Sequence, residues 1–138
     1  MSTARPIALV TGASGDIGGA IAQVLGSHGW HVIGTYVGAA DAAAATVTTI
    51  TDAGGSAEAM QLDQRDPDAI EALIETIRQK HDRLDVLINN AAWNIGIPFR
   101  QLDELTADIW DRVMETNLRA PFLLARAAAT LLSAGDGG

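Results

Sequence analysis

The chain contains no cysteine, which excludes a disulfide framework and any metal site built from thiolates. Aromatic residues are scarce, at 4% of the 138 residues. Basic residues are scarce as well: 9 Lys and Arg face 17 Asp and Glu, which gives a net charge of −8. Nucleic acids and anionic membrane surfaces need a basic face on their partners, so we expect neither as a partner.

Long hydrophobic runs are also missing. No segment approaches the roughly 20 apolar residues that span a bilayer, and the first residues lack the pattern of a signal peptide. The sequence therefore predicts a soluble, cytoplasmic protein. Its 48% hydrophobic content is sufficient for a packed core, and 138 residues correspond to about one domain, so we expect a single domain over residues 1–138.

Short apolar runs alternate along the chain with helix-prone segments. The runs predict strands at 7–10, 30–37, 57–62 and 84–88. The segments between and after them predict helices at 19–29, 39–53, from 66 to about 80, and 106–132. Asp66 and Pro67 form a helix start, with Asp66 as the N-cap and Pro67 at the first helical position. This order predicts a parallel sheet with helices on both faces.

Apolar residues recur at helical spacing in the first and last predicted helices. In the first helix these residues are Ala20, Ile21, Val24 and Leu25. In the last helix the expected inner face consists of Ile109, Trp110, Val113, Met114, Leu118 and Leu124. Because this helix and the fourth strand end the alternating pattern, we also expect them to expose apolar surface that favours association.

The most informative segment is the turn at 11–18, between the first strand, Ile7 to Val10, and the first helix. It reads Thr-Gly-Ala-Ser-Gly-Asp-Ile-Gly. A glycine-rich turn that leads into a helix N-terminus directs free N–H groups and a partial positive charge at one spot, which suits a phosphate. The turn therefore indicates a nucleotide-binding protein, and the alternative is a tight structural turn without a ligand.

Three other polar segments follow in order. Asp63 comes after the third strand, Asn89-Asn90-Ala91-Ala92 comes after the fourth, and Asn117 lies within the last helix. Together with the glycine turn, they make the chain resemble the short-chain dehydrogenase/reductase family from about residue 5 onward. The resemblance implies an α/β fold, a Rossmann-like doubly wound parallel sheet, here incomplete with about four strands and four helices.

The resemblance also implies a function. Members of this family transfer hydride between the nicotinamide of NAD or NADP and a small-molecule alcohol or ketone, and they form homo-oligomers. The implied cofactor-binding residues are Gly12, Ser14, Asp16, Ile17, Gly18, Tyr36, Asp63, Gln64, Asn90, Ala91 and Ala92. Asp63 would contact adenine, although a solvated strand end is the alternative. The choice between NAD and NADP stays open, because Tyr36 ends the second strand where an acidic residue would favour NAD.

Two features depart from the family's pattern. Asp16 replaces the middle glycine of the turn, and we expect its carboxylate to cap the first helix. The catalytic Ser and Tyr-x-x-x-Lys, which the family places after the asparagine, have no counterpart: Tyr36 is the only tyrosine and Lys80 the only lysine. The chain thus resembles the cofactor-binding N-terminal half of such an enzyme, inactive by itself, and a non-catalytic dinucleotide-binding module is the alternative.

Asn117 is the one catalytic residue that the resemblance supplies. In the family its backbone carbonyl holds a water molecule in a proton relay, where the helix is locally broken. Pro121 has no N–H and cannot donate to the Asn117 carbonyl, so the sequence itself predicts such a break. The alternative is a kink that serves packing alone.

The three histidines complete the candidate residues. His28, His31 and His81 lie near the ends of predicted elements, and we expect them to be surface residues rather than metal ligands. The sequence predicts no metal site.

Overall fold

The computed structural model describes residues 5–134, so the outermost residues of the predicted single domain, 1–4 and 135–138, lie outside the described part. The strands are β1 (Ile7–Val10), β2 (His31–Tyr36), β3 (Ser56–Gln61) and β4 (Val86–Ile88). The α-helices are α1 (Asp16–Ser27), α2 (Ala40–Asp52), α3 (Pro67–His81), α4 (Ala107–Met114) and α5 (Ala120–Ser133). A 3-10 helix spans Phe99–Glu104, and a π-helical turn, Glu115–Arg119, joins α4 to α5.

The four strands form one parallel sheet in the order β3-β2-β1-β4. In its centre Leu9 of β1 lies between Ile33 of β2 and Leu87 of β4. The chain adds β2 and β3 on one side of β1 and then returns to place β4 on the other side. This reversal opens a crevice at the carboxyl ends of β1 and β4. The incomplete Rossmann-like architecture expected from the sequence is confirmed.

Helices cover both faces of the sheet, as the alternating order predicted. On one face Val10 and Val32 pack with Ala22 of α1 and Ile50 of α2. On the other face Leu9 and Ile33 pack with residues of α3 and α5, namely Ile70, Ile74, Ile77, Leu124, Ala128 and Leu131. Consecutive residues of β1 and β2 therefore face two different cores, which explains why these strands are continuously apolar.

The prediction for α1 was wrong in its start, and only some of the residues at helical spacing face the core. The helix begins at Asp16, and its buried residues are small: Gly18, Gly19, Ala22 and Gly26. Val24 is 58% exposed, and Ala20 is also on the outside. A Cβ on Gly26 would lie only 2.6 Å from Ile50 Cγ2, so the small residues let α1 and α2 approach closely.

The start of α3 is confirmed. The Asp66 carboxylate accepts hydrogen bonds from the backbone N–H groups of Asp68 at 2.9 Å and Ala69 at 3.3 Å. Pro67 occupies the first helical position, where its missing N–H costs nothing.

The inner face expected for the last helix was only partly right. Leu124 is fully buried, whereas Trp110, Met114 and Leu118 are 58%, 38% and 61% exposed. With Phe122, which is 62% exposed, these side chains form a line four residues apart that we call the exposed ridge. Helical spacing identified an apolar stripe correctly, but no described element covers it. No helix among the described residues is long and apolar enough to cross a bilayer.

Candidate functional site

A cleft of about 690 Å³ opens at the carboxyl ends of the strands. This volume lies within the roughly 300–1,000 Å³ of small-molecule and cofactor sites. All of the residues expected to bind a dinucleotide line it, from the glycine turn, the end of β2 and the segments after β3 and β4. The structure thus brings the predicted residues together, and their binding roles stay predictions.

Thr11 directly follows β1, next to the cleft residue Gly12, and its side chain is fully buried. Its hydroxyl oxygen accepts hydrogen bonds from the backbone N–H groups of Asn90 at 3.0 Å and Ala91 at 2.9 Å. In return the side-chain Nδ2 of Asn90 donates to the Thr11 carbonyl at 3.0 Å. These bonds join the exits of β1 and β4. Sequence reasoning singled out the neighbouring glycines and missed this role of Thr11.

Two glycines bring the turn close to β4. Gly12 has a φ of +70°, and a Cβ there would lie 3.0 Å from the Ala91 Cα. A Cβ on Gly18 would lie 2.2 Å from the Gly12 carbonyl oxygen, which no side chain tolerates. The turn is therefore tightly closed on itself, and this closure seats the N-terminus of α1 at the rim of the cleft.

The first turn of α1 has no side-chain cap. Gly15 is the N-cap residue, with extended backbone angles, and Asp16 is the first helical residue with an exposed side chain. The expectation that Asp16 caps the helix was wrong, because the capping position lies one residue earlier and holds a glycine. Uncapped N–H groups and the positive end of the helix dipole are thus left at the cleft, where an anion is favoured.

Asp63 lies at the cleft in a close pair with Arg65. The guanidinium donates to both carboxylate oxygens, at 3.0 Å from Nε and 2.6 Å from Nη2. These bonds lower the pKa of Asp63 below its usual value, so the carboxylate is ionised and largely neutralised by its neighbour. The Asp63 side chain is 39% exposed, and its contact with adenine stays a prediction.

Two cations at the cleft were not predicted. Arg65 and Arg112 both belong to its lining, and Arg112 lies over the Trp93 ring, 4.0 Å from the centroid. Arg65 could have been suspected from its position two residues after Asp63. Arg112 could not, because only the folded chain brings α4 beside the segment that follows β4. The charge of Arg112 favours an anionic ligand, whereas the charge of Arg65 is largely offset by Asp63.

Gln64 connects two segments of the cleft wall. Its side chain is buried, and Nε2 donates to the carbonyl oxygens of Thr116 at 2.8 Å and Ala91 at 3.2 Å. The Thr116 carbonyl is available because the N–H of Ala120 donates to Glu115, five residues earlier, in the π-helical turn. The side-chain amide of Gln64 thus ties the segment after β4 to the π-helical turn.

Asn117 lies in the same π-helical turn, immediately beside the cleft. Its side-chain Oδ1 accepts from the Trp93 N–H at 2.8 Å, and its Nδ2 donates to the Trp93 carbonyl at 2.9 Å. The side chain therefore clamps the loop that follows β4. The predicted local break in the helix is a π-helical turn, and Pro121 directly follows it as the second residue of α5. The role of the Asn117 carbonyl in a proton relay stays a prediction.

The histidines behave differently from one another. His28 is exposed, as expected. For His31 and His81 the expectation of surface residues was wrong, because their side chains are only 17% and 19% exposed and their rings lie 4.9 Å apart. The start of β2 and the end of α3 meet at the edge of the sheet opposite the cleft, and both rings contact Glu58 there.

A parallel sheet with a glycine turn at its switch point, an uncapped helix N-terminus and a cleft above both defines a protein of the Rossmann-like, dinucleotide-binding class. The family model for short chain dehydrogenases matches residues 6–138. The chain belongs to this family.

Proteins of known sequence or structure resemble the chain over most of its length. The chain is 36% identical over 129 residues to versicolorin reductase stcU of Emericella nidulans, covering 94% of this chain and 48% of that protein. It is 38% identical to the 3-oxoacyl-(acyl-carrier-protein) reductase FabG of Salmonella typhimurium, covering 92% and 49%. A metagenomic short-chain oxidoreductase, solved in complex with NADP, superimposes with a TM-score of 0.87 at 39% identity, covering 96% of this chain and 59% of that one. The chain spans about half the length of the curated relatives that it matches.

Proposed function

We propose that the protein is an NAD(P)-dependent oxidoreductase that acts on a small-molecule alcohol or ketone. The observation that carries the proposal is the uncapped N-terminus of α1 at the rim of a cleft lined by every residue expected to bind the cofactor. Relatives named as reductases, and one solved with NADP, support it. The choice between NAD and NADP stays open, because Tyr36 at the end of β2 is neither acidic nor basic.

The residues of the cleft fit a dinucleotide. The first-turn N–H groups of Asp16, Ile17 and Gly18 would hold the diphosphate. Asp63, with Arg65, would lie at the adenine end, and the small side chains after Asn90 leave room for a ribose. A bound nicotinamide supplies hydride transfer. This chain's own residues bind and orient the cofactor, and the Asn117 carbonyl holds a water molecule for proton transfer.

We further propose that residues 1–138 form one domain and bind the cofactor without turnover. Tyr36 lies on β2 and Lys80 lies on α3, so they do not supply the adjacent Tyr and Lys that the family's proton transfer uses. A non-catalytic dinucleotide-binding module remains the second candidate.

Calorimetry with NADH and NADPH tests the proposal, on the protein expressed from its complete reading frame and on residues 1–138 alone. We expect heat of binding with at least one cofactor in both samples, and oxidation of that cofactor with a ketone panel only in a protein that contains the missing pair. Binding without turnover from the complete reading frame would favour the module. A well-folded protein that gives no heat with either cofactor would overturn both.

A homo-oligomer is the assembly we propose, with the exposed ridge as its contact. The ridge is apolar and flanked by charges of both signs, Asp111, Glu115 and Arg119, which suits a self-complementary interface. Leu118→Glu is expected to shift the sedimentation coefficient toward a monomer, with the exposed Leu102→Glu as control. An unchanged oligomer in Leu118→Glu would contradict this contact. A cytoplasmic location stays a prediction, which cell fractionation checks.

A further inference from the structure

Three side chains from distant parts of the sequence meet at the amino edge of the sheet. His31 is the first residue of β2, Glu58 lies in β3, and His81 is the last residue of α3. Their side chains are 17%, 25% and 19% exposed, so the group is mostly enclosed but reachable from solvent. We call it the His-Glu-His cluster. The proposed oxidoreductase reaction does not use it, because the cleft lies at the opposite edge.

The donor atoms of the cluster converge on one point. Glu58 Oε1 lies 3.3 Å from His31 Nε2 and 3.0 Å from His81 Nε2, and all three donors lie within 4.8 Å of one another. In a tetrahedral zinc site, ligand atoms about 2.0–2.2 Å from the metal are about 3.4 Å from each other. The two distances to Glu58 Oε1 are thus close to those along one face of such a tetrahedron.

The charge of the cluster suits a cation. Glu58 supplies a carboxylate, an anionic oxygen ligand of the kind that zinc accepts together with imidazole nitrogens. His81 also lies in the last turn of α3, where the helix dipole favours positive charge. Lys80 is a competing charge, but it binds the other carboxylate oxygen, Oε2, at 2.8 Å. Oε1 is left for a metal.

A fourth residue orients one of the imidazoles. Ser56 Oγ lies 2.7 Å from His31 Nδ1, the ring nitrogen that faces away from Glu58. Histidines that bind metals generally hold their second nitrogen in this way, which fixes the tautomer and the direction of the ring. A hydrogen bond from Nδ1–H to Ser56 leaves the Nε2 lone pair directed at the centre of the cluster.

We propose that the His-Glu-His cluster binds a divalent transition-metal ion of the zinc class. Two imidazoles and one carboxylate select zinc or nickel over magnesium or calcium, which prefer an all-oxygen shell. Because its ligands come from β2, β3 and the end of α3, the bound ion ties the edge strand of the described sheet to a helix. Its role is structural.

Zinc titration of chelator-treated protein, followed by calorimetry and thermal unfolding, tests the proposal. We expect zinc to bind and to raise the unfolding temperature, and magnesium to do neither. His31→Gln and His81→Gln should each weaken zinc affinity by about 100-fold or more, since losing a ligand costs at least as much as losing an outer partner. His28→Gln is the matched control, since His28 is exposed and lies outside the cluster, and it should bind zinc as the unchanged protein does.

Two further variants keep the proposal testable if the histidine variants fold poorly. Ser56→Ala should weaken zinc affinity by about 10-fold to 100-fold, because it removes the partner of His31. Lys80→Met should strengthen it, because it removes a neighbouring positive charge. Equal zinc affinity in all these variants, or no zinc binding by the unchanged protein, would overturn the proposal. The cluster would then be a hydrogen-bonded network only, and NAD(P)H binding at the other edge would be unaffected by either outcome.

Discussion

The two edges of the sheet are built in different ways. At the carboxyl edge, glycines, backbone N–H groups and the uncharged side chains of Thr11 and Asn90 join the strand ends beside an open cleft. The charged Asp63–Arg65 pair lies in the lining of this cleft and takes no part in joining the strand ends. At the amino edge, ionised side chains hold the strand starts to their neighbours: Glu58 contacts two histidines and Lys80. Asp85 likewise pairs with Arg83 there and accepts the Ile7 N–H at 2.7 Å.

The difference follows from the direction of the chain. Strands of a parallel sheet end, and the helices after them begin, at one edge, so free N–H groups collect there and can be left for a ligand. At the other edge helices end and strands begin, and the local backbone offers carbonyl groups and a partial negative charge. Cationic side chains are favoured at this edge, and their carboxylate partners complete the contacts. The comparison predicts that changes at the carboxyl edge affect cofactor binding, whereas changes at the amino edge affect stability.

The largest effect is expected at Gly18. In Gly18→Ala the added Cβ would lie 2.2 Å from the Gly12 carbonyl oxygen, so the turn must open and the N-terminus of α1 must move. We expect NAD(P)H affinity, measured by calorimetry, to fall by about 100-fold or more, which corresponds to about 2.7 kcal/mol. Gly15→Ala is the matched control in the same turn, because its Cβ would lie 3.6 Å from the same oxygen, an ordinary contact. An equal loss in both variants would mean that closure of the turn is not what holds the cofactor.

The Thr11→Val variant tests whether hydrogen bonds between uncharged groups beside the cleft stabilise the fold. Thr11→Val keeps the shape of the side chain but leaves the N–H groups of Asn90 and Ala91 without their acceptor. We expect the free energy of unfolding, measured by urea denaturation, to fall by about 2.5 kcal/mol. Thr11→Ser retains the hydroxyl and should lose much less. If the serine and valine variants were equally stable, the two hydrogen bonds would contribute nothing.

The Glu58→Gln variant tests, in metal-free protein, how much the ionised side chains at the amino edge contribute to stability. Glu58→Gln should lower the free energy of unfolding by about 2 kcal/mol at pH 7, because it removes charge-assisted hydrogen bonds. The pKa of Glu58 falls from 4.5 to about 2 on folding, so its stabilisation is present above pH 4.5 and is lost as the pH falls toward 2. Denaturation of both proteins between pH 7 and pH 2 should therefore show the difference shrinking. Glu75→Gln, at a pair on α3 whose side chains are 42% and 55% exposed, is the control and should change little. A difference that grew on acidification would contradict this account.

The smallest effect is expected at Asp16. Its carboxylate lies at the cleft in the first turn of α1, where it stabilises the helix but repels a diphosphate. Asp16→Asn should raise NAD(P)H affinity by about threefold and lower the free energy of unfolding by about 0.5 kcal/mol. Asp41→Asn removes an Asp from the first turn of α2 that does not line the cleft, and it should give the same stability loss without the gain in affinity. A weaker affinity in Asp16→Asn would show that the carboxylate contributes to binding.

Much of the fold and of the cleft could be predicted because the signals are local. A continuous apolar run indicated β1, mostly apolar segments indicated the other three strands, and the Asp66-Pro67 start of α3 was confirmed in detail. Helix faces were less predictable, because spacing shows that a stripe is apolar and not what covers it. Gly26 faces Ile50 while Val24 is exposed, and Trp110 and Leu118 stay on the outside.

The amino-acid sequence by itself determined the order of strands and helices, the glycine turn and the residues that follow each strand. These features depend on neighbours within a few positions, so backbone preferences and short-range spacing suffice to define them. Only the tertiary structure decided that Arg112 would reach the cleft, that Gln64 would bond to Thr116, and that His31 and His81 would meet on Glu58. The hydrogen bonds among these contacts join residues 23 to 52 positions apart, and they form because the packing of helices on the sheet brings distant segments of the chain together.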